Sequence, residues 1–125
     1  MFLLALEEPF TLCGDYNVIP TPEDARNPAA WVGDALFQPE SRAAFRALRH
    51  LGLSDAGELG GQPPGTYTFW DYQAGAWQKN NGIRIDHLLL SPEAANLLAA
   101  TSIDKHVRAW EKPSDHVPAW VELGG

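Results

Sequence analysis

Residues 83–90 constrain the fold more than any other stretch of this chain. Ile83-Arg84-Ile85-Asp86-His87 alternates apolar and polar side chains, then runs into Leu88-Leu89-Leu90. That period of two puts Ile83, Ile85 and His87 on one face and Arg84 and Asp86 on the other. Gly82 precedes the run and Ser91-Pro92 closes it, as turn-forming residues close a strand. The segment reads as a strong β-strand, and the rest of the chain has to supply the sheet and the cover it needs.

The neighbouring segments supply both. Residues 9–13 form a short apolar, β-prone run stopped by Gly14, which predicts a buried strand. Residues 15–38 carry three prolines and weak periodicity, so a long loop is expected, with one helical turn near 29–32. Residues 39–50 predict the clearest helix. Phe45, Leu48 and Leu51 share one face, Arg42, Arg46 and Arg49 another, and Gly52 ends it. Residues 53–56 are too short to assign, and 57–65 form a Gly/Pro-rich connection. A strand is expected at 67–70 and a polar loop at 71–82. Ser91-Pro92-Glu93 is an N-cap, a first-turn proline and an acidic first turn, so a helix is expected over 92–100. Strands are expected at 103–110 and 117–123. The expected class is α/β (α+β): a single domain over residues 1–125 with four or five strands and two helices.

Composition bounds the function. The hydrophobic content of 45% suits a folded domain with a modest core. The single cysteine, Cys13, excludes an internal disulfide framework and fits a reducing compartment. Residues 1–10 carry an apolar run with Glu7 and Glu8 and no basic leader. They read neither as a signal peptide nor as a membrane span, so a cytoplasmic protein with no membrane partner is expected. The net charge of −7 works against affinity for a phosphate backbone. A divalent cation held among the acids would invert the local field.

Three segments then hold the chemistry, each where a predicted strand meets a loop. Asp15 and Asn17 stand two apart after the first strand. They either reach one water or phosphate together or cap the turn into Pro20. Arg84 and Asp86 share a face, as partners in a site or in a cross-strand ion pair. His87 goes with the isoleucine face and reads as a satisfied core histidine. Ser114-Asp115-His116 places adjacent acid and imidazole on opposite sides, with Asp86 able to orient His116; a capped turn is the plainer reading. Phe69-Trp70-Asp71-Tyr72 crowds aromatics at a loop edge, so at least one ring faces outward or into a cleft. No serine sits in a nucleophile elbow, no Cys/His spacing suits zinc, and no P-loop or dinucleotide fingerprint is present.

Four segments carry a resemblance when taken in order and spacing: Gly14-Asp15-Tyr16-Asn17, Thr68-Phe69-Trp70-Asp71-Tyr72, Asn81-Gly82-Ile83-Arg84-Ile85-Asp86-His87, and Glu111-Lys112-Pro113-Ser114-Asp115-His116-Val117-Pro118. Together they resemble the C-terminal half of the exonuclease III family of DNA-repair nucleases, within the endonuclease/exonuclease/phosphatase superfamily. The resemblance implies half of a four-layer α/β sandwich, one mostly antiparallel or mixed sheet with helices on one face. It implies Mg²⁺- or Mn²⁺-dependent hydrolysis of DNA phosphodiesters at abasic sites and duplex 3′ ends. By position, Asp15 would orient or deprotonate the attacking water and Asn17 would hold the phosphate. Asp86 would orient a protonated His116, and Asp115 would serve the metal side. Phe69, Trp70, Asn81 and Arg84 would bind substrate.

The same resemblance implies a further half that supplies an Asn, the principal metal-binding Glu and a Tyr, none of which can be assigned here. A truncated exonuclease III-like protein is therefore expected, exposing a large apolar sheet face and covering it as a homodimer. The alternative is a non-catalytic, self-associating domain with at most weak DNA binding.

Overall fold

The computed structural model describes residues 8–124, so the reading of residues 1–10 as neither leader nor span falls mostly outside it. The apolar strand around residues 83–90 does lie at the centre. Strand β1 (Thr11–Asp15) and β2 (Ser54–Asp55) both pair antiparallel with β3 (Asp86–Leu90), in the order β1-β3-β2. The register runs from Thr11 opposite Leu90 to Asp15 opposite Asp86.

Helix α1 (Pro39–His50) starts with a proline and an acid in its first turn and finishes with Arg49 and His50, which suit its negative C-terminal end. Gly52, at a φ of 111°, then takes the left-handed conformation that glycine adopts without strain. The apolar face of α1 buries Phe45 against Val18, Leu53 and Leu89, with Leu12, Tyr16 and Leu48 around them. That packing covers one face of the three-stranded sheet.

Helix α2 (Ala56–Leu59) and helix α3 (Pro92–Asn96) flank the other end of β3. Ala56 and Ala94 are fully buried and enclose Leu90. The Ser91 hydroxyl accepts from the Ala94 amide at 3.1 Å, the N-cap expected from the sequence. A separate antiparallel ribbon joins β4 (Leu98–Ile103) to β5 (Ala119–Leu123), with Val121 packed beside the Leu90 cluster. The fold is thus a mixed α/β arrangement with antiparallel pairing, its strands divided between two small sheets.

Several boundaries differ from expectation for identifiable reasons. The helix expected over 92–100 stops at Asn96 because Leu98–Ile103 pairs with β5, in a ladder with one irregularity between Leu98 and Ala100. Of the strand expected at 103–110, only Ile103 lies in one, at the end of β4. Lys105–Ala109 coil into a 3-10 helix that buries Arg108, whose guanidinium donates to the carbonyls of Trp70 and Asp71. Residues 67–70 make only single bridges, Phe69 to Ile83 and Phe69 to His116. Ile83 and Arg84 precede β3 because their amides bond to Phe69 and to Asp24 instead of to a flanking strand. The turn expected near 29–32 is a 3-10 helix over Pro28–Trp31.

The wide apolar sheet face expected from a missing half is not found among the described residues. On the side away from α1, Cys13 is exposed, Asp86 and Leu88 are half-buried, and Leu90 is closed off by alanines. Of the large exposed apolar side chains, Val32, Tyr72 and Trp110 lie outside the strands, while Trp120 and Leu123 lie on β5. The face is polar where β1 and β3 carry Asp15 and Asp86, and that is where alternation put acids instead of aliphatics.

His87 is 1% exposed, stacked edge-on to Tyr16 and tilted against Phe45. Burial, and then the charge of Arg84, pull its pKa below the ordinary 6.5. The unfolded chain therefore binds that proton more readily than the folded one. This part of the stability is whole above about pH 6.5 and is lost as pH falls below it. Urea unfolding between pH 7 and 5 should show declining stability in the wild type and a shallower decline in His87→Phe. Leu89→Ala should cost about 2–5 kcal/mol at any pH, read as a lower urea midpoint with little change in slope.

Candidate active site

The cross-strand pairing of Asp15 with Asp86 sets two carboxylates side by side at the end of the sheet. Like charges directly opposite repel, and the His116 ring lies between the two acids. The His116 Nδ1 stands 2.8 Å from Asp86 Oδ2, and its Nε2 stands 3.7 Å from Asp15 Oδ2. Since a carboxylate only accepts, Nδ1 carries the proton toward Asp86. The opposite nitrogen then faces Asp15 across a gap too long for a direct hydrogen bond.

Backbone bonds hold this group in place. Thr68 is fully buried, and its hydroxyl oxygen accepts from the amides of Ile85 and Asp86 at 3.1 and 3.2 Å. Its carbonyl accepts from Val117 at 2.9 Å, next to His116. The His116 amide donates to the Ser114 hydroxyl at 3.1 Å. Phe69 stands edge-on to the imidazole, ring centres 5.2 Å apart, and narrows the choice of ring orientation. Asp15 Oδ1 accepts from the Asn17 amide at 2.8 Å, which folds the loop back on itself with Asn17 at a φ of 50°.

The predicted site residues thus divide. Asp15, Asp86 and His116 converge, with Asn17 on the adjoining turn and Phe69 against the imidazole. Asp115 is half-buried and lies outside the converging group; its carbonyl accepts from the Trp70 amide at 2.9 Å. Trp70 is fully buried between Tyr67 and Trp77, and its indole donates to Asn80 at 3.1 Å. It therefore braces the loop after it from below. Asn81 is half-buried, and its side-chain oxygen has no hydrogen-bond partner among the described residues.

Arg84 bridges two acids. Its Nε is 2.7 Å from Asp24 and its Nη1 is 2.9 Å from Asp55. Burial alone would lower its pKa, but the hydrogen bonds and charges of Asp24 and Asp55 outweigh burial and raise it, so the guanidinium stays charged. Asp24, Asp55 and Thr68 were missed as supporting residues. The two acids lie 60 and 29 residues from Arg84 along the chain, and nothing local announces such a pairing. Thr68 opens the Thr68-Phe69-Trp70-Asp71-Tyr72 motif, where a hydroxyl beside aromatic residues was the available signal.

One carboxylate oxygen from each acid and one imidazole nitrogen lie within 4.8 Å of one another. Oxygen donors suit a hard divalent cation such as Mg²⁺ or Mn²⁺. The fit is partial: Asp86 Oδ2 already bonds the imidazole and Asp15 Oδ1 the Asn17 amide, which leaves one oxygen on each acid among the described residues. Most of a six-ligand shell would come from water, phosphate oxygens or acids outside this group.

Comparison with known proteins identifies the family. The profile of the endonuclease/exonuclease/phosphatase family matches residues 1–116. The chain is 35% identical over 122 residues to exodeoxyribonuclease III of Haemophilus influenzae, covering 92% of this chain and 46% of that protein. It is 36% identical over 121 residues to DNA repair nuclease APEX1 of Danio rerio, covering 96% and 38%. A Neisseria 3′ phosphatase, NExo, solved bound to a product DNA hairpin, superposes with a TM-score of 0.89 at 33% identity, covering 94% of this chain and 46% of that one. The chain belongs to the endonuclease/exonuclease/phosphatase family, whose nuclease members depend on divalent metal. It spans less than half the length of the curated relatives it matches.

Arg84→Met should destabilise the domain by about 3–5 kcal/mol, because it strands the buried Asp55 and the half-buried Asp24 without a cation. Chemical denaturation checks this; a shift under 1 kcal/mol, about the value of an exposed pair, would show that Asp24 and Asp55 do not depend on Arg84.

Proposed function

We propose that this chain supplies the acid–imidazole side of a divalent-metal-dependent phosphodiesterase site, acting on DNA at abasic sites and 3′ ends. One observation carries the reading: His116 is held at 2.8 Å by Asp86 and faces Asp15, which is free on one oxygen, at 3.7 Å. The similarity to an exodeoxyribonuclease, a DNA repair nuclease and a DNA-bound 3′ phosphatase supports phosphodiester DNA as the substrate class.

In this reading Asp15 orients the attacking water and takes its proton as the new P–O bond forms. Asn17, on the adjoining turn, holds a non-bridging phosphoryl oxygen. His116, protonated and oriented by Asp86, donates toward the charge that develops on the phosphoryl oxygens while the bond to the leaving oxygen breaks. Phe69 excludes water from one side of the imidazole and offers its ring to an unstacked sugar or base. Asp115 lies on the metal side, and Asn81 offers an unpartnered oxygen to substrate. Trp70 and Arg84 serve substrate through the loops they brace. When bound, Mg²⁺ or Mn²⁺ would supply Lewis-acid stabilisation of the phosphate, held by Asp115 together with acids from outside the converging group.

The remaining acids would come from a second half of the family fold or from a second copy of this chain. The competing reading, a non-catalytic self-associating domain, draws on the same observation of a thin donor set. Cleavage of a fluorescent duplex with one abasic site separates them. With Mg²⁺ or Mn²⁺ the wild type should cut and EDTA should stop it. Asp15→Asn and His116→Ala, purified identically, should each lose about 10²-fold or more. No cleavage at high protein concentration, with salt-sensitive binding retained, would favour the non-catalytic reading. Sedimentation of the same samples reports whether a dimer accompanies either result.

A further inference from the structure

We propose that His87 is a positioning residue for Asn17, holding the Asp15–Val18 turn onto β3 from the side opposite the converging acids. The inference rests on the reading of Asn17 as the phosphate-holding side chain. It uses a residue that the sequence pattern assigns only to the core.

The turn is held on both sides of Asn17. Before it, the Tyr16 amide donates to the Ile85 carbonyl at 3.0 Å, and the Tyr16 hydroxyl donates to the Leu12 carbonyl at 2.7 Å. After it, the His87 Nε2 lies 3.0 Å from the Val18 carbonyl, and the Ile19 amide donates to Leu36 at 2.8 Å. A carbonyl only accepts, so Nε2 carries the proton and the tautomer is fixed. The Nδ1 is buried and has no partner among the described residues. A plain apolar residue would fill this space without leaving a nitrogen unpaired. The imidazole is retained at that cost, and the bond it makes in return falls on the residue next to Asn17.

The bond matters because Asn17 sits at a φ of 50°, a left-handed conformation that costs energy unless its surroundings impose it. The Asx-type bond to Asp15 helps, but it is exposed to water. The buried bond from His87 is not, and the ring doubles as a wall for Tyr16, 5.6 Å between centres. One strand thereby presents Asp86 to the site and His87 to the turn that carries the site's next residues.

Amide hydrogen exchange tests this without requiring activity. His87→Phe keeps the ring and removes the donor; His87→Gln places an amide donor where Nε2 stood. In His87→Phe, exchange at Tyr16 and Ile19 should rise about five- to tenfold relative to Phe45 and Leu89, the scale of one lost hydrogen bond. His87→Gln should restore most of it. Equal acceleration at all four amides would make His87 a core residue only and overturn the proposal, as would no change. Should the Phe variant not fold, the wild type still decides: a slowly exchanging imidazole proton on Nε2, close to Val18, is expected, and its absence overturns the assignment. In the abasic-site assay, His87→Phe should lower cleavage and His87→Gln recover it. If the turn loosens while cleavage is unchanged, the positioning stands and the role given to Asn17 fails.

Discussion

The antiparallel register of β1 on β3 is the constraint from which the site follows. It sets Asp15 opposite Asp86 at the open end of the sheet, and two anions at that spacing are unfavourable without a counter-charge. His116 arrives from a distant part of the chain, on a segment held to Thr68 and Phe69 by backbone bonds. Slipping β1 by one residue would turn Asp15 toward α1 and bring Gly14 to the site. The packing of Leu12 and Tyr16 beneath α1 resists that slip, so core burial and site geometry are held by the same pairing.

The electrostatics of the three groups point to phosphate chemistry for a further reason. An imidazole bonded to one carboxylate through Nδ1 is fixed in orientation, with its other nitrogen turned toward the second acid. A phosphodiester brings negative charge to such a place and needs a donor there as it reacts. In a chain of net charge −7 the proposed DNA substrate would be opposed overall, so local groups would have to outweigh the global field. Lys105 and Arg108, which lie over the Trp77 ring beside the 71–82 loop, put cationic charge on that side of the domain. A bound divalent cation would act in the same direction.

Much of this was legible in the sequence, and the boundary of legibility has a physical cause. Residues 83–90, the helix over 39–50 and the Ser91 cap are local patterns, in which side-chain period and capping chemistry decide structure within a few residues. Asp15, Asp86 and His116 were legible as strand-end polar groups, and the family motifs tied them together. What stayed hidden depended on partners far along the chain. Arg84 pairs with Asp24 and Asp55 across loops, Arg108 is buried by carbonyls at Trp70 and Asp71, and 98–103 became a strand because β5 was there to meet it. The expected apolar sheet face failed for a related reason. Counting aliphatics in strands said nothing of which face they take; alternation gave the outer face Cys13, Asp15 and Asp86 beside Leu88 and Leu90, and alanines close off Leu90.

That alternation also explains how so small a domain supports both a core and a site. Ile83, Ile85, His87 and Leu89 are all buried, while Arg84, Asp86 and Leu88 between them are only half so. The inward series sets stability, and the outward series sets chemistry. His87 belongs to the first by burial and to the second by its bond to Val18. A leucine there would pack well and leave the Val18 carbonyl without that donor. A histidine packs adequately, keeps one nitrogen unsatisfied, and ties down the turn that follows Asp15. Where a buried polar group bonds to the neighbour of a strained site residue, the cost of burying it is offset in the geometry of the site.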